Sequence, residues 1–124
     1  MTPGINPARP LVVMPTYNEV DNIREMLPQI MTHRQFEVLV VDDNSQDDTR
    51  NAVREAMQAY PGRIHMLERD DKLGLGTAYI AGFRWALQRD YTHIFEMDAD
   101  FSHHPATLPR MLQASRHADL VLGS

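Results

Sequence analysis

The chain has 124 residues, enough for one domain, with 43% hydrophobic and 23% charged residues, the balance of an ordinary soluble globular protein. A net charge of −5 argues against general nucleic-acid binding through a basic face, although a metal ion can reverse the local sign for a phosphorylated ligand. With no cysteines, disulfides and thiolate metal sites are excluded, and no run approaches the ~18 apolar residues of a membrane span.

The opening MTPGINPARP lacks the apolar core of a signal peptide and reads as a flexible lead-in over residues 1–10. Leu11 to Met14 is a short apolar run stopped by Pro15, which predicts a buried strand. Asn18 is placed to cap the helix that follows, with Asp21 in its first turn. Ile23, Met26, Leu27 and Ile30 give that helix an apolar stripe, and Pro28 inside it predicts a kink or an early end. Val38 to Val41 is a second buried strand, ended by Asp42-Asp43. Ser45-Gln46-Asp47-Asp48 has the form of a capping box, predicting a helix from about Gln46 to Ala59 with Val53, Ala56, Met57 and Tyr60 on one side. Pro61-Gly62 stops it. A third strand is expected over Arg63 to Glu68, and a loop from Asp70 to Gly76. A third helix is expected from Thr77 to Arg89, burying Ala78, Ala81, Trp85 and Leu87. Thr92 to Met97 reads as a fourth strand, Pro105 opens a fourth helix, and Ala118 to Leu122 reads as a fifth strand.

Strands separated by helices imply an α/β fold, a parallel sheet with right-handed crossovers and helices on both faces. Such sheets bind ligands beyond the carboxyl ends of their strands. Three polar clusters fall there: PTYNE after the first strand, DDNS after the second and DAD after the fourth. Asp98 and Asp100, two apart, would face the same way in a regular strand. Like charges so close favour a cation between them, and carboxylate oxygens suit Mg²⁺ or Mn²⁺. The same pair would also serve as a solvated strand end. Asp42 and Asp43 suit either hydrogen bonding to a nucleobase or ribose or shaping the turn before the helix. Tyr17 suits a stacked base or a loop aromatic, and Glu19 a ribose contact or a helix start. Lys72 to Thr77 is glycine-rich, but the P-loop spacing is absent. His103-His104 resembles a metal pair in composition only. Met14, Met26, Met57, Met97 and Trp85 read as core.

PTYNE, VVDDNSQDDT, KLGLGTAYIAGF and EMDADFSHHP, in this order, resemble the family 2 glycosyltransferases with a GT-A (Rossmann-like) fold. Within that family the chain is most similar to the polyprenyl (dolichyl) phosphate mannose synthases, over nearly all of residues 11–124. The resemblance implies a GDP-mannose donor, a divalent metal (Mg²⁺ or Mn²⁺) and a polyprenyl phosphate acceptor in a membrane. It implies that Pro15, Tyr17 and Glu19 contact the guanosine and that Val40, Asp42 and Asp43 line the same pocket. Asp98, Ala99 and Asp100 would hold the metal, the diphosphate and the sugar edge, with Asp98 and Asp100 catalytic. Ser102 falls where the family supplies a further metal ligand. The implied chemistry is inverting displacement by an acceptor phosphate that is largely ionised at neutral pH.

Members of the family continue beyond this point, so the fold is expected to be truncated on its C-terminal side, with the donor half present and the acceptor half largely missing. The implied location is peripheral, at the cytoplasmic membrane face. The competing expectations are a relative using UDP-glucose or UDP-N-acetylglucosamine, and a nucleotide-sugar-binding module without catalysis. A phospho-acceptor receiver domain also pairs acids with a parallel sheet, but there the acidic pair follows the first strand rather than the second.

Overall fold

The computed structural model describes residues 7–71 and 73–115. The strands are β1 (Pro10–Thr16), β2 (Glu37–Asp43), β3 (Ile64–Arg69) and β4 (His93–Glu96). The helices are α1 (Val20–Met31), α2 (Thr49–Ala59), α3 (Leu75–Leu87) and α4 (Leu108–Ala114), the last entered through a 3-10 turn at Pro105–Thr107. The four strands form one sheet in the order β3-β2-β1-β4, parallel throughout. The expected α/β architecture with a parallel sheet is therefore present. The expected strand at Ala118–Leu122 lies outside the described residues.

Side-chain alternation divides the core in two. Val12, Met14, Val38, Val40, Ile64 and Phe95 pack with α1, α2 and Leu108 on one face. Leu11, Val13, Leu39, Val41 and Ile94 pack with α3 on the other. Both faces are thus covered, which is why the central strands read as unbroken apolar runs.

Gly82 sets how closely α3 lies on β1. A Cβ there would meet Val13 Cγ1 at 2.4 Å, and Val13 is fully buried. Gly82→Ala is expected to lower the melting temperature. Overpacking costs about 1–3 kcal/mol, against the ~1 kcal/mol alanine adds as a helix former. A calorimetric scan showing a higher melting temperature would mean that the helix is free to shift.

Several local expectations are corrected. The lead-in gives way to structure by Arg9, whose N–H donates to Thr92 Oγ1 (2.7 Å) and whose guanidinium pairs with Glu37 (2.9 Å). Pro28 does not end α1, which continues to Met31. Asp42 and Asp43 are inside β2 and buried, not past its end. The capping box does not form, and α2 begins at Thr49 rather than Gln46. Leu87, expected to be buried, is 77% exposed.

The helix starts miss their expected caps because the two loops cap each other. Asn18 Oδ1 accepts from the backbone N–H of Gln46 (2.7 Å) and Asp47 (3.2 Å). In return, Ser45 Oγ accepts from Asn18 N–H (2.9 Å), Thr49 Oγ1 from Glu19 N–H (2.9 Å) and Asp47 Oδ2 from Val20 N–H (3.3 Å). N–H groups at or just before each helix start are thus met by residues about thirty positions away, while Thr49 N–H, in the first turn of α2, is met locally by Asp47 Oδ1 (2.9 Å). Asn18 and Asn44 adopt positive φ values of 54° and 53°, which asparagine tolerates.

Candidate functional site

The ends of β1, β2 and β4 are adjacent because β1 pairs with both other strands. Beyond their carboxyl ends lies a cleft of about 300 Å³. Pro15, Tyr17 and Glu19 line it from the β1 side, Asp43 from β2, and Asp98, Ala99 and Asp100 from the loop after β4. Gly74, Leu75 and Ala78 close it from the start of α3. Seven of the sequence-predicted site residues thus meet at one cleft, from as far apart in the chain as Pro15 and Asp100. Val40, Asp42 and Ser102 do not line it.

Period-two alternation explains why neighbouring Asp42 and Asp43 behave differently. Asp42 shares its face with Val40, toward α2. It is fully buried and accepts from Thr16 Oγ1 (2.7 Å), Ser45 Oγ (2.6 Å), Ser45 N–H (3.0 Å) and Arg50 Nε (2.6 Å). Burial pushes its pKa up, but the hydrogen bonds from Ser45, Thr16 and Arg50 outweigh it and hold the carboxyl below its usual range. Val40 is part of the core under α1 and α2.

Asp43 shares its face with Val41, toward α3. It sits in register with Arg69 on β3 and pairs with it in a two-bond fork at 2.6 and 2.8 Å, a strong and orienting geometry. Asp43 Oδ2 also accepts from Leu73 N–H (3.2 Å), and Arg69 Nη2 donates to Thr77 Oγ1 (3.1 Å) and the Gly74 carbonyl (3.3 Å). The pair therefore ties down the loop that forms one wall of the cleft. Gly74 itself has a φ of 99°, a conformation in which glycine is the unstrained choice.

Asp98 and Asp100 follow the fourth strand, as expected, and lie in a turn rather than a regular strand, so strand alternation does not set their relative direction. β4 ends at Glu96, and a turn follows at Ala99-Asp100. Asp98 is half-buried, Ala99 buried and Asp100 exposed. Asp98 Oδ1 accepts from the Tyr79 hydroxyl at 2.6 Å. Burial and then the bond to Asp98 push the Tyr79 phenol far above its ordinary value, so it stays a proton donor. Burial and the Asp98 charge also raise the Glu96 carboxyl. Asp100 Oδ1 accepts from Ser102 N–H (2.9 Å), and hydrogen bonding from Ser102 lowers the Asp100 pKa. Phe101 carries a φ of 61°, unusual for a bulky residue. Its ring packs on the core under α1, which holds the strained turn in place.

Among the described residues no three His, Cys, Asp or Glu side chains converge as a metal centre. Two carboxylates still fit Mg²⁺ or Mn²⁺, because such ions commonly take one or two protein carboxylates and complete their shell with phosphate oxygens and water. His103 and His104 do not line the cleft.

Three residues that organise the site were missed by sequence reasoning: Arg50, Arg69 and Tyr79. The available signal was chemical. Two adjacent buried acids need cationic or N–H partners, Arg50 is the cation nearest in the chain to DDNS, and Arg69 lies just ahead of the glycine-rich loop.

Comparison with known proteins follows from this geometry. The family model described as Glycosyl transferase family 2 matches residues 11–124. The undecaprenyl-phosphate mannosyltransferase of Micrococcus luteus is 48% identical over 117 residues, which cover 94% of this chain and 48% of that protein. The polyprenol monophosphomannose synthase of Mycolicibacterium smegmatis is also 48% identical, over 94% of this chain and 44% of its own length. This chain thus spans about half the length of these curated relatives. Among solved structures, a mannosyltransferase from Pyrobaculum calidifontis in complex with GDP-Man and Mn²⁺ superposes with a TM-score of 0.74 at 27% identity, covering 91% of this chain and 35% of that one.

Proposed function

The chain belongs to glycosyl transferase family 2, and on that premise we propose that its cleft binds GDP-mannose with a divalent cation. We propose further that the protein transfers the mannose to a polyprenyl phosphate. The observation that carries the reading is the convergence of Tyr17, Glu19, Asp43, Asp98 and Asp100 on one cleft at the carboxyl ends of parallel strands. The names of the two relatives at 48% identity, a mannosyltransferase and a monophosphomannose synthase, support the mannosyl and polyprenyl parts. The GDP-Man and Mn²⁺ bound to the Pyrobaculum protein support the donor and the metal.

In this reading Tyr17 offers an aromatic face to the base, and Glu19 and Asp43 accept hydrogen bonds from the base or ribose. Among the described residues Asp43 Oδ1 is engaged only by Arg69, which leaves a carboxylate lone pair for such a contact. Asp98 and Asp100 hold the cation, which when bound neutralises charge on the departing diphosphate. An oxygen of the acceptor phosphate attacks the anomeric carbon. The bond from that carbon to the GDP oxygen breaks, its electron pair leaves with GDP, and the configuration inverts. A phosphate monoester has a second pKa of about 6, so the nucleophile is already ionised near neutral pH and needs no general base. In this reading the protein works peripherally at the cytoplasmic membrane face, where it would meet a lipid-anchored acceptor. Among the described residues no helix is long and apolar enough to cross a membrane.

Isothermal calorimetry with GDP-mannose, UDP-glucose and UDP-N-acetylglucosamine tests the donor assignment. GDP-mannose is expected to bind in Mn²⁺ and to lose most of its affinity in EDTA, with the uridine donors weaker in both. Stronger binding of a uridine donor, or no binding to well-folded protein, overturns it.

A further inference from the structure

We propose that Tyr79 is a positioning residue for Asp98, holding that carboxylate in the orientation in which it receives the divalent cation. The inference deepens the donor-site reading and rests on it. Asp98 lies just past the end of β4, where the last ladder bond is Met97 N–H to the Val13 carbonyl (3.1 Å). Its backbone is therefore not fixed by sheet pairing. The Tyr79 hydroxyl reaches Asp98 Oδ1 at 2.6 Å, within the short range of a charge-assisted O–H···O⁻ bond. It is the one hydrogen bond Asp98 makes among the described residues, and it leaves Oδ2 without a protein partner.

Tyr79 can impose an orientation because its own position is set. It sits on α3 one residue after Ala78, which is buried against the sheet, and three before Gly82, seated on Val13. The constraint therefore runs from the core of the sheet through α3 to the carboxylate. A carboxylate held this way need not be ordered by the arriving ion, which spares rotamer entropy. Outer hydrogen bonds to metal ligands are commonly worth 10–100-fold in metal affinity.

The test is Mn²⁺ affinity, read by electron paramagnetic resonance in the presence of GDP-mannose, for the full chain and two variants. Tyr79→Phe removes only the hydroxyl. Tyr91→Phe removes a chemically similar bond, Tyr91 hydroxyl to Glu37 Oε1 at 2.7 Å, at the amino end of the sheet. We expect Tyr79→Phe to weaken Mn²⁺ about tenfold, with Tyr91→Phe matching the wild type. A general structural contribution of tyrosine–carboxylate bonds would lower melting temperature in both variants without separating their Mn²⁺ affinities. Equal affinity in wild type and Tyr79→Phe overturns the positioning role and leaves the donor reading standing. Equal weakening in both variants also overturns it. A wild-type chain that takes up no Mn²⁺ in the presence of donor overturns the reading and the inference together.

Discussion

If the proposed donor site is right, Asp100→Asn is expected to abolish metal-dependent donor binding: apparent affinity for GDP-mannose in Mn²⁺ should fall by about 100-fold or more, to the level of the wild type in EDTA. The size follows from the donor set. In the proposed site two carboxylates meet the ion with no third acidic, histidine or cysteine partner among the described residues, so losing one would remove half of the protein's charged oxygens there. Outer hydrogen bonds alone already carry 10–100-fold, so losing a direct ligand should reach at least the top of that range. The variant should keep its fold. Asp100 is exposed, and an asparagine oxygen can still accept the Ser102 N–H bond that shapes the turn. Surface substitutions of this kind usually move stability by no more than ~0.5 kcal/mol. Calorimetric titration in Mn²⁺ and in EDTA, paired with a thermal melt, separates the two effects. A variant that binds donor as the wild type does in Mn²⁺ would remove the cation from the Asp98-Ala99-Asp100 turn.

Asp42→Ala is expected to cost a large share of the stability, although its side chain lies outside the cleft. It leaves Arg50, Thr16 and Ser45 facing a buried hole where a carboxylate oxygen met each of them. Breaking a buried charge pair by removing one partner typically costs about 3–5 kcal/mol, a large share of the ~5–15 kcal/mol that holds a domain together. Urea unfolding of both proteins at neutral pH measures it, and a loss below ~1 kcal/mol would mean that water enters and satisfies the stranded donors.

The same contact fixes the sign of the acid dependence. Asp42 has a folded-state pKa below its unfolded value, which is about 3.9. Its stabilisation is therefore fully present above pH ~4 and is lost as pH falls through the lower folded value. Glu37 adds in the same direction: burial raises its pKa, but hydrogen bonds from Arg9, His65 and Tyr91 win and lower it. The wild-type urea midpoint should be flat near neutrality and fall steeply below pH ~4, and Asp42→Ala should fall less steeply.

The coupling of stability to site geometry runs through β2. Asp42 fastens the β2–α2 loop, whose residues in turn satisfy the start of α1 beside Glu19. Asp43 fastens the loop before α3 through Arg69. One dipeptide thus braces both walls of the cleft, each residue toward the face that alternation assigns it.

What the sequence by itself determined was the kind of each described element, the parallel sense of the strands and the edge on which the acids collect. Apolar runs four residues long, 3.6-residue stripes and proline or glycine stops are local signals, legible without partners. The ordered motifs from PTYNE to MDADFSHHP carried the family. Only the tertiary structure decided the caps, the separate fates of Asp42 and Asp43, the turn at Asp100 and the roles of Arg50, Arg69 and Tyr79. Apart from Arg50, eight positions from Asp42, and the Asp100 turn, closed by Ser102 two residues on, these depend on partners far along the chain. Asp43 meets Arg69 across 26 positions and Tyr79 meets Asp98 across 19. A parallel sheet brings such residues together only after a helical crossover has returned the chain to the same edge, so no local pattern in the sequence encodes which of them will touch.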